Sequence, residues 1–150
     1  MRRKDRARDP AFAWLVFDQA AYGVLSMRDE GGGYGVPVSP ARIGEKIYFH
    51  CAMEGKKVDC LSRWPSVSLT VAEAGETDYF SVCYRSAIFR GTAAVVVDES
   101  EKRAALAAIT QRYCPQLEAE LDSYLAGHLS VTCVFRLDVE EVTGKERQKG

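Results

Sequence analysis

Between positions 22 and 52 the chain presents three strand signals before any central helix, and that order constrains its fold more than any other feature. Residues 22–27 are apolar and β-prone and run into the turn sequence Glu30-Gly31-Gly32-Gly33, a hairpin signal. Residues 34–39 and 46–52 read as two further strands. In the second, side chains alternate across the pleat, with Ile47, Phe49 and Cys51 on one face and Tyr48, His50 and Ala52 on the other. His50 and Cys51 therefore point in opposite directions. A βαβ sheet alternates strand and helix from its start, so this order favours an antiparallel sheet.

The remainder follows the same grammar. Residues 66–71 alternate, with Val67, Leu69 and Val71 inward; a polar loop is expected over 72–81; and a long strand over 82–97 carries Gly91 as a bulge or bend. The last strand, 129–142, sets Val131, Cys133, Phe135, Leu137 and Val139 on one face. Helices are expected at 10–20, opened by Pro10, and at 56–63, stopped by Trp64-Pro65. Asp98 is an N-cap with Glu101 at N3, starting a helix to about Tyr113 with Leu106, Ile109 and Tyr113 inward. A second helix opens at Pro115, carries Leu117, Leu121 and Leu125, and meets Gly127 at its end. The expectation is a mainly β (α+β) fold, a six-stranded antiparallel barrel with short peripheral helices, as one domain over residues 1–150.

Charge and composition remove several function classes. A net charge of -1 gives no global attraction to nucleic acid or anionic membrane. No run approaches the ~20 apolar residues of a bilayer span, and the basic start lacks the apolar core of a signal peptide. The five cysteines, Cys51, Cys60, Cys83, Cys114 and Cys133, never form a C-x-x-C pair, which predicts neither a disulfide framework nor a zinc knuckle. Reduced thiols and a cytoplasmic location follow as expectations. Two histidines 78 positions apart make no metal site, and His128, at a helix end, fits a favourable interaction with the helix dipole.

The chemistry concentrates in residues 47–61, IYFHCAMEGKKVDCL: a strand, a turn with Gly55, and two lysines at the start of a helix. A helix N-terminus presents free N–H groups and partial positive charge, so Lys56 and Lys57 there can receive a dianionic phosphate. By spacing alone the pair fits a solvated surface helix better, since nothing here is a Walker loop. A strand histidine such as His50 is more often packed or solvated than catalytic. A core-facing cysteine such as Cys51 is more often a small hydrophobe.

Several segments, taken in order, carry a resemblance. Tyr22-Gly23-Val24-Leu25, Val36-Pro37-Val38-Ser39, Ile47-Tyr48-Phe49-His50-Cys51-Ala52, Glu54-Gly55-Lys56-Lys57-Val58-Asp59, Tyr84-Arg85-Ser86 with Gly91, Glu101-Lys102-Arg103 and the opening MRRKDR resemble the nitroimidazole-resistance branch of the pyridoxamine 5'-phosphate oxidase-like FMN proteins. The resemblance covers nearly the whole chain. It implies a split barrel and a homodimer with one FMN in each of two clefts built by both subunits. It further implies that Lys56 and Lys57 hold the FMN phosphate, that Val36, Pro37, Val38 and Ser39 run along the flavin edge, and that His50, Cys51 and Ala52 lie near the ring or ribityl chain. Ser86 falls at a polar flavin contact with Arg85 beside it. The implied activity is reduction of nitroimidazole-type or related small molecules, with His50 as the residue that stabilises or protonates a reduced group.

Two departures matter. The chain has Gly31-Gly32-Gly33-Tyr34 where the family often has Gly-Tyr-Pro, and it ends in Thr143-Gly144-Lys145-Glu146-Arg147 without the Arg- and Trp-rich strand of true pyridoxamine phosphate oxidases. Vitamin oxidation is therefore not expected. Two rival readings stay open: a non-catalytic flavin or haem binding module, and a reductase using a deazaflavin.

Overall fold

The computed structural model describes residues 3–149; Met1 and Arg2 of the opening motif, and Gly150, lie outside them. After a 3-10 turn at Lys4–Arg6, the two-residue strand β1 (Ala7–Arg8) leads to helix α1 (Pro10–Gln19). The Asp9 side chain accepts from the Phe12 N–H at 2.8 Å and Pro10 fills the first turn, so the helix start is set locally. Strands β2 (Gly23–Asp29) and β3 (Gly32–Val38) form a hairpin whose last pair is Asp29 with Gly32. Gly32 sits at φ +128°, a region open to glycine. Next come β4 (Ala41–Ile43), β5 (Lys46–Ala52), α2 (Lys56–Arg63), β6 (Ser66–Asp78), β7 (Ser81–Val95) and α3 (Glu99–Tyr113). A 3-10 segment (Pro115–Glu120), α4 (Leu121–His128), a 3-10 turn (Leu129–Val131) and β8 (Thr132–Arg147) complete the chain.

All strand pairs are antiparallel, in the order β3-β2-β6-β7-β8-β5-β4, with β1 added to β8. Among the described residues the fold is mainly β with four α-helices, as the sequence predicts, but the count is eight strands rather than six, in one sheet with β3 and β4 at the ends of the path. The two additional strands are the shortest, β1 and β4, which are too brief to show periodicity. β8 organises the sheet: its first half pairs with β5, its end pairs with β1, and β7 follows its other side along most of its length.

The core explains the pattern. On one side Phe17 of α1 packs with Phe49, Phe89, Phe135, Leu69 and Leu137, all essentially inaccessible to solvent. On the other side of β5 and β8 a second cluster joins Tyr48 and Val134 to Ala105, Leu106 and Leu125 from α3 and α4. These strands are covered on both faces, which is why Ile47, Tyr48 and Phe49 are buried consecutively. Inward alternation along β8 runs through Cys133, Phe135, Leu137 and Val139 and then resumes at Val142. The step of three residues marks a bulge, where Arg90 opposes Glu141 but Gly91 opposes Val139. A Cβ at position 91 would overlap the carbonyl oxygen of Asp138, so the expected bend at Gly91 is enforced by a close backbone approach.

Three expectations are corrected. The polar loop over 72–81 is instead the paired ends of β6 and β7, meeting at a turn of Tyr79 and Phe80. Many of its side chains are exposed, so no hydrophobic alternation announced it. Residues from Pro115 form a 3-10 segment before α4, leaving Leu117 exposed and Gly127 inside the last helical turn. Val131, placed on the apolar face of the last strand, is exposed on the preceding turn.

Candidate functional site

β5 delivers two faces of chemistry to one end of the sheet. His50 projects from the face shared with Tyr48, and Cys51 from the inward face beside Phe49. Both strands of this ladder end one pair later, at Ala52 and Thr132. The chain then turns through Gly55, at φ +127°, directly into α2. That glycine supplies no side-chain cap, so the first N–H groups of α2 lack a capping side chain.

The two lysines at this helix start do different things. Lys56 lies 2.7 Å from Asp29 of β2 and 4.3 Å from the Tyr34 ring of β3, linking α2 to the first hairpin. Lys57 makes no ion pair among the described residues and bears on His50 and Cys51. Loss of water around the ring and the Lys57 cation hold the His50 imidazole below the ordinary histidine pKa. Burial pushes the Cys51 thiol up to about 11, with Lys57 acting in the opposite direction. The group at this end is therefore a neutral imidazole, a protonated thiol and one uncommitted cation beside an uncapped helix start.

Along β3, Val38 is buried and Val36 packs against the core, while Pro37 and Ser39 are exposed. Of the four residues expected along a flavin edge, only Pro37 and Ser39 present side chains outward. Arg85 and Ser86 lie elsewhere. Ser86 pairs with Lys145 of β8, whereas His50 pairs with Val134. These β8 partners are eleven positions apart (145 minus 134), roughly 36 Å along an extended strand. One chain thus brings together His50, Cys51, Ala52 and Lys57 but leaves Arg85 and Ser86 along the sheet.

Sequence reasoning missed the partners that commit these side chains. Arg85 is held at 2.5 Å by Glu73, which lies in the segment expected to be a loop. Beside it a cleft of about 320 Å³ is lined by Glu73, Tyr84, Arg85 and Arg147 among others. Arg147 meets Asp78 at 2.9 Å, while its buried Nη1 has no hydrogen-bond partner among the described residues. A second cleft, about 520 Å³, opens between the start of β8 and helices α3 and α4, bordered by Met53, Val95, Lys102, Leu129 and Cys133. Among the described residues no cluster of metal-ligating side chains occurs, and no helix is long and apolar enough to cross a membrane.

The family pattern described as pyridoxamine 5'-phosphate oxidase matches residues 9–146, and the chain belongs to that family. Comparison with curated proteins finds no match. Among solved structures, the flavocytochrome Anf3 from Azotobacter vinelandii is similar at TM-score 0.85 and 22% identity, covering 99% of this chain and 72% of that one. A candidate 5-nitroimidazole antibiotic resistance protein from Bacteroides thetaiotaomicron is similar at TM-score 0.78 and 24% identity, covering 93% and 84%. An FAD-binding protein from Mesorhizobium loti is similar at TM-score 0.71 and 22% identity, covering 95% and 98%. These likenesses establish a shared fold.

Proposed function

We propose that this chain is a flavin-binding protein of the nitroimidazole-resistance type, a homodimer that holds FMN in two shared clefts and reduces nitroimidazole-type or related small organic molecules. The observation that carries the reading is the junction of β5 and α2, where the uncapped helix start, the uncommitted Lys57 and His50 meet in a chain of the pyridoxamine 5'-phosphate oxidase family. The names of the similar structures, a flavocytochrome, an FAD-binding protein and a candidate nitroimidazole resistance protein, support a flavin and this substrate class.

The residues fit a phosphate-bearing flavin. A phosphate dianion meets the N–H groups at the start of α2 and the Lys57 ammonium, both of which lack an anionic partner among the described residues. Lys56 is a supporting residue in this reading, because Asp29 already neutralises it. A bound flavin supplies two-electron transfer; the protein orients it and excludes competing reactions. His50, uncharged at neutral pH, offers one imidazole nitrogen that holds a proton and one that accepts, as a group hydrogen-bonding a reduced substrate requires. The distance of Arg85 and Ser86 from His50 supports the dimer, since a second subunit can supply them to the first subunit's cleft.

The direct test is absorbance and mass spectrometry of the cofactor released from the purified protein. An FMN mass is expected. A Soret band, a deazaflavin mass, or failure to take up added FMN overturns the assignment.

A further inference from the structure

Cys51 and Cys133 are Cα partners in the antiparallel ladder between β5 and β8, and both face the inward side. The next inward pair, Phe49 with Phe135, is stacked at 5.6 Å and closes off the interior behind them. Directly opposed residues of an antiparallel ladder have Cα atoms about 4.5 or 5.5 Å apart, depending on the class of pair. Disulfides span about 4.4–6.8 Å between Cα atoms, so either class of pair lies within the Cα range that a disulfide bridges. No other pair of the five cysteines shares a ladder position among the described residues.

Position along the ladder adds access and room to adjust. Only Ala52 and Thr132 pair beyond the cysteines before β5 enters the Gly55 turn. Cys51 is half-buried, whereas Cys133 is buried on the same inward face. A small oxidant can reach Cys51 at this end, with the aromatic pair behind it.

We propose that Cys51 and Cys133 are a redox-active dithiol that closes to an intrachain cross-strand disulfide when met by a hydroperoxide. One thiolate attacks the O–O bond and becomes a sulfenic acid as the alcohol or water leaves; the second sulfur then displaces water and forms the S–S bond. Two thiols and one hydroperoxide give one disulfide, one alcohol (or water) and one water, with two electrons passing from sulfur to the peroxide. The titratable groups bearing on Cys51 are Lys57 from α2 and Cys133 from β8. Because burial keeps Cys51 protonated at neutral pH, the reaction is slow there and accelerates roughly tenfold per pH unit as thiolate accumulates.

The test treats the full chain with hydrogen peroxide, counts free thiols and maps peptides by mass. The expected result is loss of two of the five thiols, a linked peptide pair holding Cys51 and Cys133, and full recovery with dithiothreitol. The triple variant Cys60→Ser, Cys83→Ser, Cys114→Ser keeps the link. Oxidation settling on Cys83 or Cys114 while Cys51 and Cys133 stay reduced, sulfinic acid at either residue without a link, or retention of all five thiols overturns the proposal. The mapping uses the unaltered sequence, so no variant need fold for the outcome to count.

Discussion

The Tyr48 hydroxyl donates to a Glu101 carboxylate oxygen at 2.9 Å, and Arg136 donates to the same carboxylate at 2.9 and 3.2 Å. Asp98 caps the Glu101 N–H at 2.8 Å, so the helix start uses half of a capping box. The other half is diverted: the Glu101 side chain turns onto the sheet and ties α3 to β5 and β8. Arg136 and then Tyr48 hold this carboxyl below the usual glutamate range, and burial followed by the Glu101 bond pushes Tyr48 up to about 12.

Acid should therefore loosen this contact. A carboxyl with a lowered folded pKa contributes stability that is present above its ordinary value of 4.5 and is lost as pH falls through the folded value. Glu101→Gln should melt below the parent at pH 7, and the difference should shrink as pH falls below 4.5. A constant difference across thermal melts from pH 7 to pH 3 would remove Glu101 from the acid response.

Gly91→Ala should be severely destabilising, at about 3 kcal/mol or more, because the new Cβ meets backbone rather than a mobile side chain. Gly33→Ala is the control: nothing lies within 4 Å of its added Cβ, so a change within about 0.5 kcal/mol is expected. Urea denaturation compares the two. Similar losses would mean that the bulge can relax.

Lys57→Ala should weaken FMN at least tenfold while changing riboflavin little, since only FMN carries the phosphate. Lys56→Ala should affect FMN less, because that ammonium is committed to Asp29. Fluorescence titration of both ligands reads the difference. Equal losses of FMN and riboflavin would return Lys57 to the role of a surface charge.

His50→Ala should keep bound flavin and lower nitro reduction by roughly 10² or more, the scale of losing a positioned acid-base group. In the parent, protonation of His50 belongs below the ordinary value of 6.5, so its signature in a rate profile lies on the acid side. An unchanged rate removes the residue from the mechanism, and loss of flavin makes it a binding residue.

Light scattering should give about twice 16.6 kDa. If each cleft draws His50 and Lys57 from one subunit and Arg85 and Ser86 from the other, remixing matters. Neither His50→Ala, Lys57→Ala chains nor Arg85→Ala, Ser86→Ala chains should bind FMN well alone. Refolded together, their mixed dimers should regain one intact cleft. No recovery in a mixed dimer would place both sets in the same subunit's cleft or outside it.

The legible parts of this molecule are those where one face is wet and the other dry. β6 shows its dry face through Val67, Leu69 and Val71, and α3 its start through Asp98. Gly91 was legible as a bend, although its opponent, the Asp138 carbonyl, was not. The outer half of the β6–β7 hairpin carries Glu73, Glu76 and Asp78, and no periodicity separates such a ribbon from a loop. At the candidate site, the motif marked Lys56 and Lys57 as equals. Only the third dimension distinguishes them, because Asp29 and Tyr34 come from a hairpin more than twenty positions earlier.

β8 pairs with β1, β5 and β7, yet it is the last strand in chain order. On the ribosome β3, β2, β6 and β7 can pair as they emerge, but β5 and β7 keep open edges until residues 132–147 arrive to join the β4–β5 pair to the rest of the sheet. Joining the two parts of the sheet is a late event, and until then the open edges of β5 and β7 are candidates for wrong strand pairing and for chaperone capture.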